Sequence, residues 1–418
     1  MSDERKGTAS VRSATRPTGP TTGLSMTRSS ARSVGRRGPG RGWIGGTLLG
    51  ALVASGCLSA QDAGGRPFEV SSDAGTTLRG VPLGVYDQPW AMSFLPGGAL
   101  LVTEKRGRLL RVDIETDERV AVKGLPEIEA EGQGGLGDVV PHPAFAANRL
   151  VYLSYVEREG RLSGAAVARA RLGGDEAAPA LDGFEVIWRQ VPKVSGSGHY
   201  GHRLAFSPDG YLFVTSGERQ KFTPAQDLDQ NLGKILRLND DGTVPDDNPF
   251  ADRGDVAAEI WSLGHRNPLG LAFDADGQLW EHEMGPRGGD ELNRIARGAN
   301  YGYPLVSNGS HYDGVEIPDH DTRPDLTAPA TSWSPVISPA GFVILGDGRY
   351  GAWAGSGVIG GLSSEALVRV ELDGESAREV ERFAMPTRVR EVEIGPDGAL
   401  YALEDKSRAR LLRLDPGT

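Results

Sequence analysis

The stretch "FSPDGYLFVTSGE" runs from Phe206 to Glu218. An apolar residue leads into a tight turn that ends in glycine, and alternating apolar residues follow. That pattern reads as a β-hairpin. It recurs as "FLPGGALLVTE" over 94–104, "FDADGQLWEHE" over 273–283 and "IGPDGALYALED" over 394–405. The closing glycines, Gly98, Gly210, Gly277 and Gly398, lie 112, 67 and 121 residues apart. The outer spacings are twice about 56 and twice about 60, so the period is about 60 residues and two copies are degenerate. Roughly 340 residues at that period make six blades. The expected fold is therefore all-β, a six-bladed β-propeller over 79–418, with no second domain. A propeller gathers its inner strands and the loops of one face around a central axis, where a ligand can sit. The acidic residues ending the repeats, Glu104, Glu218, Glu283 and Glu404, either face that axis or protect strand ends.

Composition bounds the rest. The 418 residues are 38% hydrophobic, with 59 glycines, 27 prolines and few long helical patterns. Net charge is −11, unevenly spread. Residues 1–56 hold nine Lys and Arg against two Asp and Glu, leaving 36 basic and 54 acidic residues in the body. An acidic body argues against a nucleic-acid partner, because phosphate binding needs a basic footprint.

The basic excess belongs to a targeting segment. "WIGGTLLGALVASGC" is a short apolar run after a basic region and ends at Cys57, the only cysteine. This reads as a secretory signal, too short for a membrane span. "VASGC" resembles a bacterial lipobox, which makes Cys57 the lipidation site. Residues 1–57 are the signal and lipobox segment, and 58–78 a flexible tether. The expected product is an exported lipoprotein, periplasmic or at the cell surface, held to the membrane by its lipid alone. Leu58 after the cysteine favours the outer membrane. Met1 and Met26 are both candidate starts.

Four stretches concentrate glycine, proline and polar groups. "EGQGGLGDVVPHPAF" (131–145) sets Gln133 in backbone that a ligand can approach closely. "GSGHYGHRLAF" (196–206) carries His199 and His202, three apart. Its glycines argue against a helix, and on extended chain the two rings point apart, which disfavours a shared metal. One neutral histidine can serve as a general base, and the residues alone do not say which. "GHRNPLGLAFD" (264–274) joins a fixed cation, Arg266, to the amide of Asn267 and a rigid turn. "MGPRGGDELNRIARGANYGYP" (284–304) offers carbonyls and carboxylates of the kind calcium takes. A phosphate-binding glycine loop, a nucleophile elbow and a dinucleotide fingerprint are all missing, which disfavours a nicotinamide enzyme.

Taken together with "PWAMSFLPGGALLVTEKRGRL" and "AQDLDQNLGKILRLNDDGTVPDDNPF", these stretches resemble the soluble quinoprotein aldose dehydrogenases of the glucose/sorbosone dehydrogenase family, in family order over 85–415. The resemblance implies a six-bladed propeller that binds pyrroloquinoline quinone (PQQ) and Ca2+ and oxidises the anomeric carbon of aldoses to lactones. It picks out His199 as the base, four residues before Arg203-Leu204, and makes His202 a local substitution. It implies hydride transfer to a quinone polarised by calcium. It assigns cofactor contacts to Gln133, Arg266, Asn267, Tyr312, Ser338, Pro339, Ala340, Arg388 and Arg390, with Arg266 near the reacting carbonyl. It assigns calcium to the carbonyls of Gly285 and Pro286, and a second, structural calcium to Glu291 and the Tyr301 carbonyl. One departure stands out: Ser363 occupies the place of a lysine that grips the quinone in relatives. That departure keeps in view a surface-anchored calcium-binding propeller without redox activity; a calcium-dependent lactonase is a further alternative, because propellers also host hydrolases. The natural sugar and the electron acceptor are not written in the sequence.

Overall fold

The computed structural model describes residues 65–417. The targeting segment and Cys57 lie outside these residues, and with them the export and anchoring read from that region.

Six antiparallel sheets account for the architecture. Blade 1 holds strands Pro89–Phe94, Leu100–Glu104, Arg108–Asp113 and Glu118–Val122. Blade 2 starts at Leu136–Pro141, blade 3 at Gly201–Phe206, blade 4 at Pro268–Phe273, blade 5 at Pro339–Ile344 and blade 6 at Val389–Ile394. These six first strands are innermost, and each packs against those of the neighbouring blades around one axis. The second strands are buried on both faces: Leu100–Glu104, Leu212–Ser216, Leu279–Glu283, Gly357–Gly361 and Leu400–Glu404 expose almost nothing. Sandwiching between blades explains why they read as continuous rather than alternating apolar runs.

The repeated hairpin forms as read. Gly98, Gly210, Gly277 and Gly398 donate their amides back to Leu95, Ser207, Asp274 and Gly395 over 2.9–3.0 Å, and all four have left-handed φ between 74° and 92°. A side chain at these positions would be strained, which is why glycine closes every copy. The two degenerate copies are blades 2 and 5. Blade 2 replaces the turn with a single helical turn, Phe145–Asn148, ended by Arg149 in left-handed conformation. Blade 5 replaces it with a longer excursion, closed where the Leu345 amide bonds the Ser356 carbonyl.

The core is divided into wedges between blades. Leu101, Leu109, Leu136, Leu153 and Ala168 fill the space between blades 1 and 2. Tyr152, Val167, Leu212 and Leu236 fill the space between blades 2 and 3. Truncating one of these leucines to alanine costs about 2–5 kcal/mol, since a rigid wedge cannot collapse onto the gap.

Blade 6 is completed from both ends of the chain. Strand Thr77–Tyr86 pairs with Ala409–Pro416, and Phe68–Ser71 pairs with Thr77–Tyr86. The tether expected over 58–78 is thus too long: strand structure begins at Phe68. Its ring lies on Gly80, where a side chain would collide with it, and Val70 is buried. Three residues of alternation among small polar neighbours were too short a signal to read as a strand.

Candidate active site

The blades present equivalent atoms at one mouth of the axis. In each, the residue just before the inner strand accepts a hydrogen bond from the residue after its partner on the second strand. The amides of Lys105, Val156, Gly217, Met284, Leu362 and Asp405 donate to the carbonyls of Gln88, Gly135, Tyr200, Asn267, Ser338 and Arg388 over 2.9–3.3 Å. Most of these residues line one cavity of about 440 Å³, together with Gln133, Trp90, His202 and Arg390. A second cavity of about 290 Å³ lies across its wall, lined by His199, Glu218, Arg266, Pro286, Tyr303 and Tyr312 among others.

His199 holds left-handed backbone, φ 49°, just before blade 3. The Gln133 side-chain oxygen accepts its amide at 2.7 Å, which fixes the loop. Its Nδ1 lies 2.5 Å from Glu218 Oε1. Glu218 also accepts the amides of Lys221 and Phe222. Burial favours protonating Glu218, but the His199 hydrogen bond and these amides outweigh it and keep its pKa below the ordinary value. An ionised Glu218 accepts a hydrogen bond from Nδ1–H and leaves Nε2 as the free acceptor. Burial lowers the pKa of His199 and nearby Arg266 adds to this, against the pull of Glu218. The ring is therefore neutral at pH 7, as a base must be.

His202 lies apart. Its Nδ1 is 2.8 Å from Ser154 Oγ, its ring stacks on Trp90 at 4.9 Å, and it faces the larger cavity. Burial holds its pKa down at about 3. The two histidines do not share a ligand site. The reason is not an extended strand, as expected: both residues have positive φ, and the strand starts between them at Gly201.

Blade 4 supplies Arg266 and Asn267 from the turn before its inner strand. Glu283 accepts both amides. The guanidinium donates to the carbonyls of Met284 and Gly285 at 2.8 and 2.7 Å, and to Tyr312 Oη at 3.2 Å. Arg266 Nε and Asn267 Oδ1 are buried without partners. Gly285 stacks so closely on Gly289 that no side chain fits there. Asp290 ties this turn to blade 5, accepting the amides of Gly285, Ile337 and Ser338. Of the expected trio on blade 5, Ser338 lines the larger cavity, while Pro339 and Ala340 are buried in its inner strand. Blade 6 supplies Arg388 and Arg390, both bonded to Asp405. Ser363 is exposed and lies on the Val336 carbonyl.

Of the expected second metal pair, the Tyr301 carbonyl is 3.1 Å from His320 Nε2, and Glu291 lies opposite Glu283 in the sheet. A buried donor group does form nearby: His265 Nδ1 lies 3.4 Å from Glu283 and 3.9 Å from Glu281. The sequence reading passed over His265 and Glu281.

Residues 86–413 match the family model described as glucose/sorbosone dehydrogenase. The chain belongs to that family. The aldose sugar dehydrogenase YliI of Escherichia coli (strain K12) is 38% identical over 79% of this chain and 90% of its own. A crystal structure of a glucose dehydrogenase superposes with a TM-score of 0.76 at 42% identity, covering 80% of this chain and 98% of that one. The PQQ-bound aldose sugar dehydrogenase of Streptomyces coelicolor superposes at 0.67 with 28% identity, covering 81% and 98%. Within this glucose/sorbosone dehydrogenase, the residues that sequence missed are Gln88, Trp90, Lys105, Met284 and Asp405. Lys105, Met284 and Asp405 share one place in the repeat, after the second strand, and Gln88 another, before the inner strand, while Trp90 stands within the inner strand.

Proposed function

We propose that this protein oxidises an aldose at its anomeric carbon to the lactone, with PQQ in the larger cavity and the sugar beside His199. The observation that carries this is the His199–Glu218 pair at the wall between the two cavities. The neutral ring presents Nε2 beside Arg266, a fixed cation.

The residues fit the cofactor. Arg388, Arg390 and Lys105 make the larger cavity cation-rich against one carboxylate, Asp405, which suits a tricarboxylate. Asn267, on the wall of the larger cavity, has an orphaned Oδ1, and Arg266, on the wall of the smaller one, an orphaned Nε. The turn at 284–286 suits calcium, because its carbonyls are hard donors and two of them already point at a cation, the Arg266 guanidinium. Bound PQQ supplies a two-electron acceptor for the hydride of C1, and calcium a Lewis acid.

The chain's own residues do the rest. His199 Nε2 takes the proton of the anomeric hydroxyl. Glu218 holds the ring in the required tautomer and stabilises the imidazolium that forms. Arg266 stabilises negative charge that develops on oxygen. Phe222, Tyr303 and Tyr312 give the smaller cavity aromatic walls on which a pyranose can pack.

The test is reconstitution. Protein made without PQQ is given PQQ and calcium, then several aldoses and an electron-accepting dye. The expected result is dye reduction that requires both additions. Lactone hydrolysis in the absence of PQQ, with no dye reduction in its presence, would overturn the reading in favour of a lactonase.

A further inference from the structure

Lys105 follows the second strand of blade 1, in the place that Met284 holds in blade 4 and Asp405 in blade 6. Each donates its amide to the residue preceding its inner strand. All three line the larger cavity. Of the six residues at this place around the ring, Lys105 is the only cation and Asp405 the only anion. Asp405 is bonded to both Arg388 and Arg390. Lys406, also on the cavity wall, is paired with Glu404 at 2.8 Å. The Lys105 ammonium makes no ion pair among the described residues. Its one hydrogen bond, at 2.5 Å, goes to the carbonyl of Gly132, beside Gln133. The stem lies against Gly135, where a side chain would meet Lys105 Cγ at 2.6 Å and its carbonyl at 2.5 Å. Bare glycine backbone therefore seats the stem and aims the head.

We infer that Lys105 is a cofactor-gripping cation, which supplies from blade 1 the positive charge that Ser363 does not supply from blade 5. This rests on the reading of the cavity as the PQQ site. An unpaired ammonium seated on a cavity wall beside two arginines is costly unless an anion joins them. Burial disfavours its charged form and Arg390 adds to this, against the pull of Asp405. A bound carboxylate would offset that repulsion. Because Lys105 also holds Gly132, cofactor capture and the position of the Gln133 loop are coupled through one side chain.

The test is direct titration of apoprotein with PQQ in calcium buffer, followed by calorimetry. Lys105→Gln keeps a donor for the Gly132 carbonyl and removes the charge. Its Kd for PQQ should rise at least about tenfold, the scale of one charge-assisted hydrogen bond. With PQQ saturating, kcat should stay within about twofold, because the proton-transfer pair is untouched. Should the glutamine variant fail to fold, Lys105→Met serves for the Kd comparison alone, since it also releases the Gly132 carbonyl. An unchanged Kd overturns the inference and leaves the functional reading intact. A fall in kcat at saturating PQQ with unchanged Kd also overturns it, since Lys105 would then act on the catalytic loop. Wild-type protein that takes up no PQQ overturns the functional reading, and this inference with it.

Discussion

Blades 1 and 6 end their second strands in a buried glutamate, and blade 3 runs two residues further before reaching its own. Glu104 and Glu404 sit in register with Glu283, each opposite the first residue of its inner strand. Blade 3 has Ser216 at that point, and Glu218 overhangs it. The offset changes what the carboxylate meets. Glu104 takes the Asp87 amide and Arg108. Glu404 takes the amide and guanidinium of Arg410 and the ammonium of Lys406. Glu218 instead reaches His199. A propeller repeat thus fixes where an acid stands, and a shift of two residues decides whether it fastens a strand end or meets a histidine.

Three experiments bear on that contrast. The largest effect is expected from His199→Ala, which leaves Glu218 with no ring to serve. Dye reduction should fall by about 10³-fold or more while PQQ still binds in titration. Activity retained within tenfold would remove His199 from the role of base.

Next comes Glu218→Gln, which keeps the shape and removes the charge. We expect kcat to fall about 10–100-fold, the scale seen on losing a group that orients a metal-bound histidine. The pH profile gives the sign. The base works when neutral, so rate is lost as pH falls through its pKa. Glu218 raises that pKa. Removing it should move the acid limb of kcat/KM to lower pH, and an unmoved limb would break the comparison.

The smallest effect is expected from Glu404→Ala. It should cost about 1–3 kcal/mol of stability and leave kcat and KM unchanged. Burial pushes the Glu404 carboxyl up, but Arg410 and Lys406 outweigh it and hold its pKa below the ordinary value. A depressed pKa stabilises the fold above the ordinary carboxyl range and stops doing so as pH falls through the folded value. The Tm gap between wild type and variant should therefore close toward low pH.

The fold was legible because one turn recurs. Four of six blades keep a glycine at a left-handed position, and no other residue closes that hairpin without strain. Blades 2 and 5 were hidden because a helical turn at Phe145–Asn148 and the excursion before Ser356 replace the glycine. At the site, Gln133, His199, Arg266 and Asn267 were readable from motifs that keep their spacing. The glutamates were readable as a recurring feature but not as two kinds. That depends on pairing register, which a two-residue overhang alters without changing the look of the sequence. Lys105 and Asp405 were unreadable singly, because a charged residue after a strand is ordinarily solvated. Only the hydrogen bonds that place Lys105, Met284 and Asp405 on one ring show that they face inward.

The clasp in blade 6 has a consequence for how the molecule is made. Strand Thr77–Tyr86 precedes blade 1 in the chain, and its partner Ala409–Pro416 follows every other described strand. Contacts of such sequence separation slow folding, because the chain must be brought together end to end before they form. Until then, blade 1 and blade 5 each have a face waiting for a blade 6 that does not exist. A chain halted part-way through synthesis would carry that unfinished arc, with apolar wedges open at both sides, and would be prone to aggregate. Closure of the circle thus waits on both halves of the clasp: only a chain that holds Thr77–Tyr86 and Ala409–Pro416 together can hide these two faces.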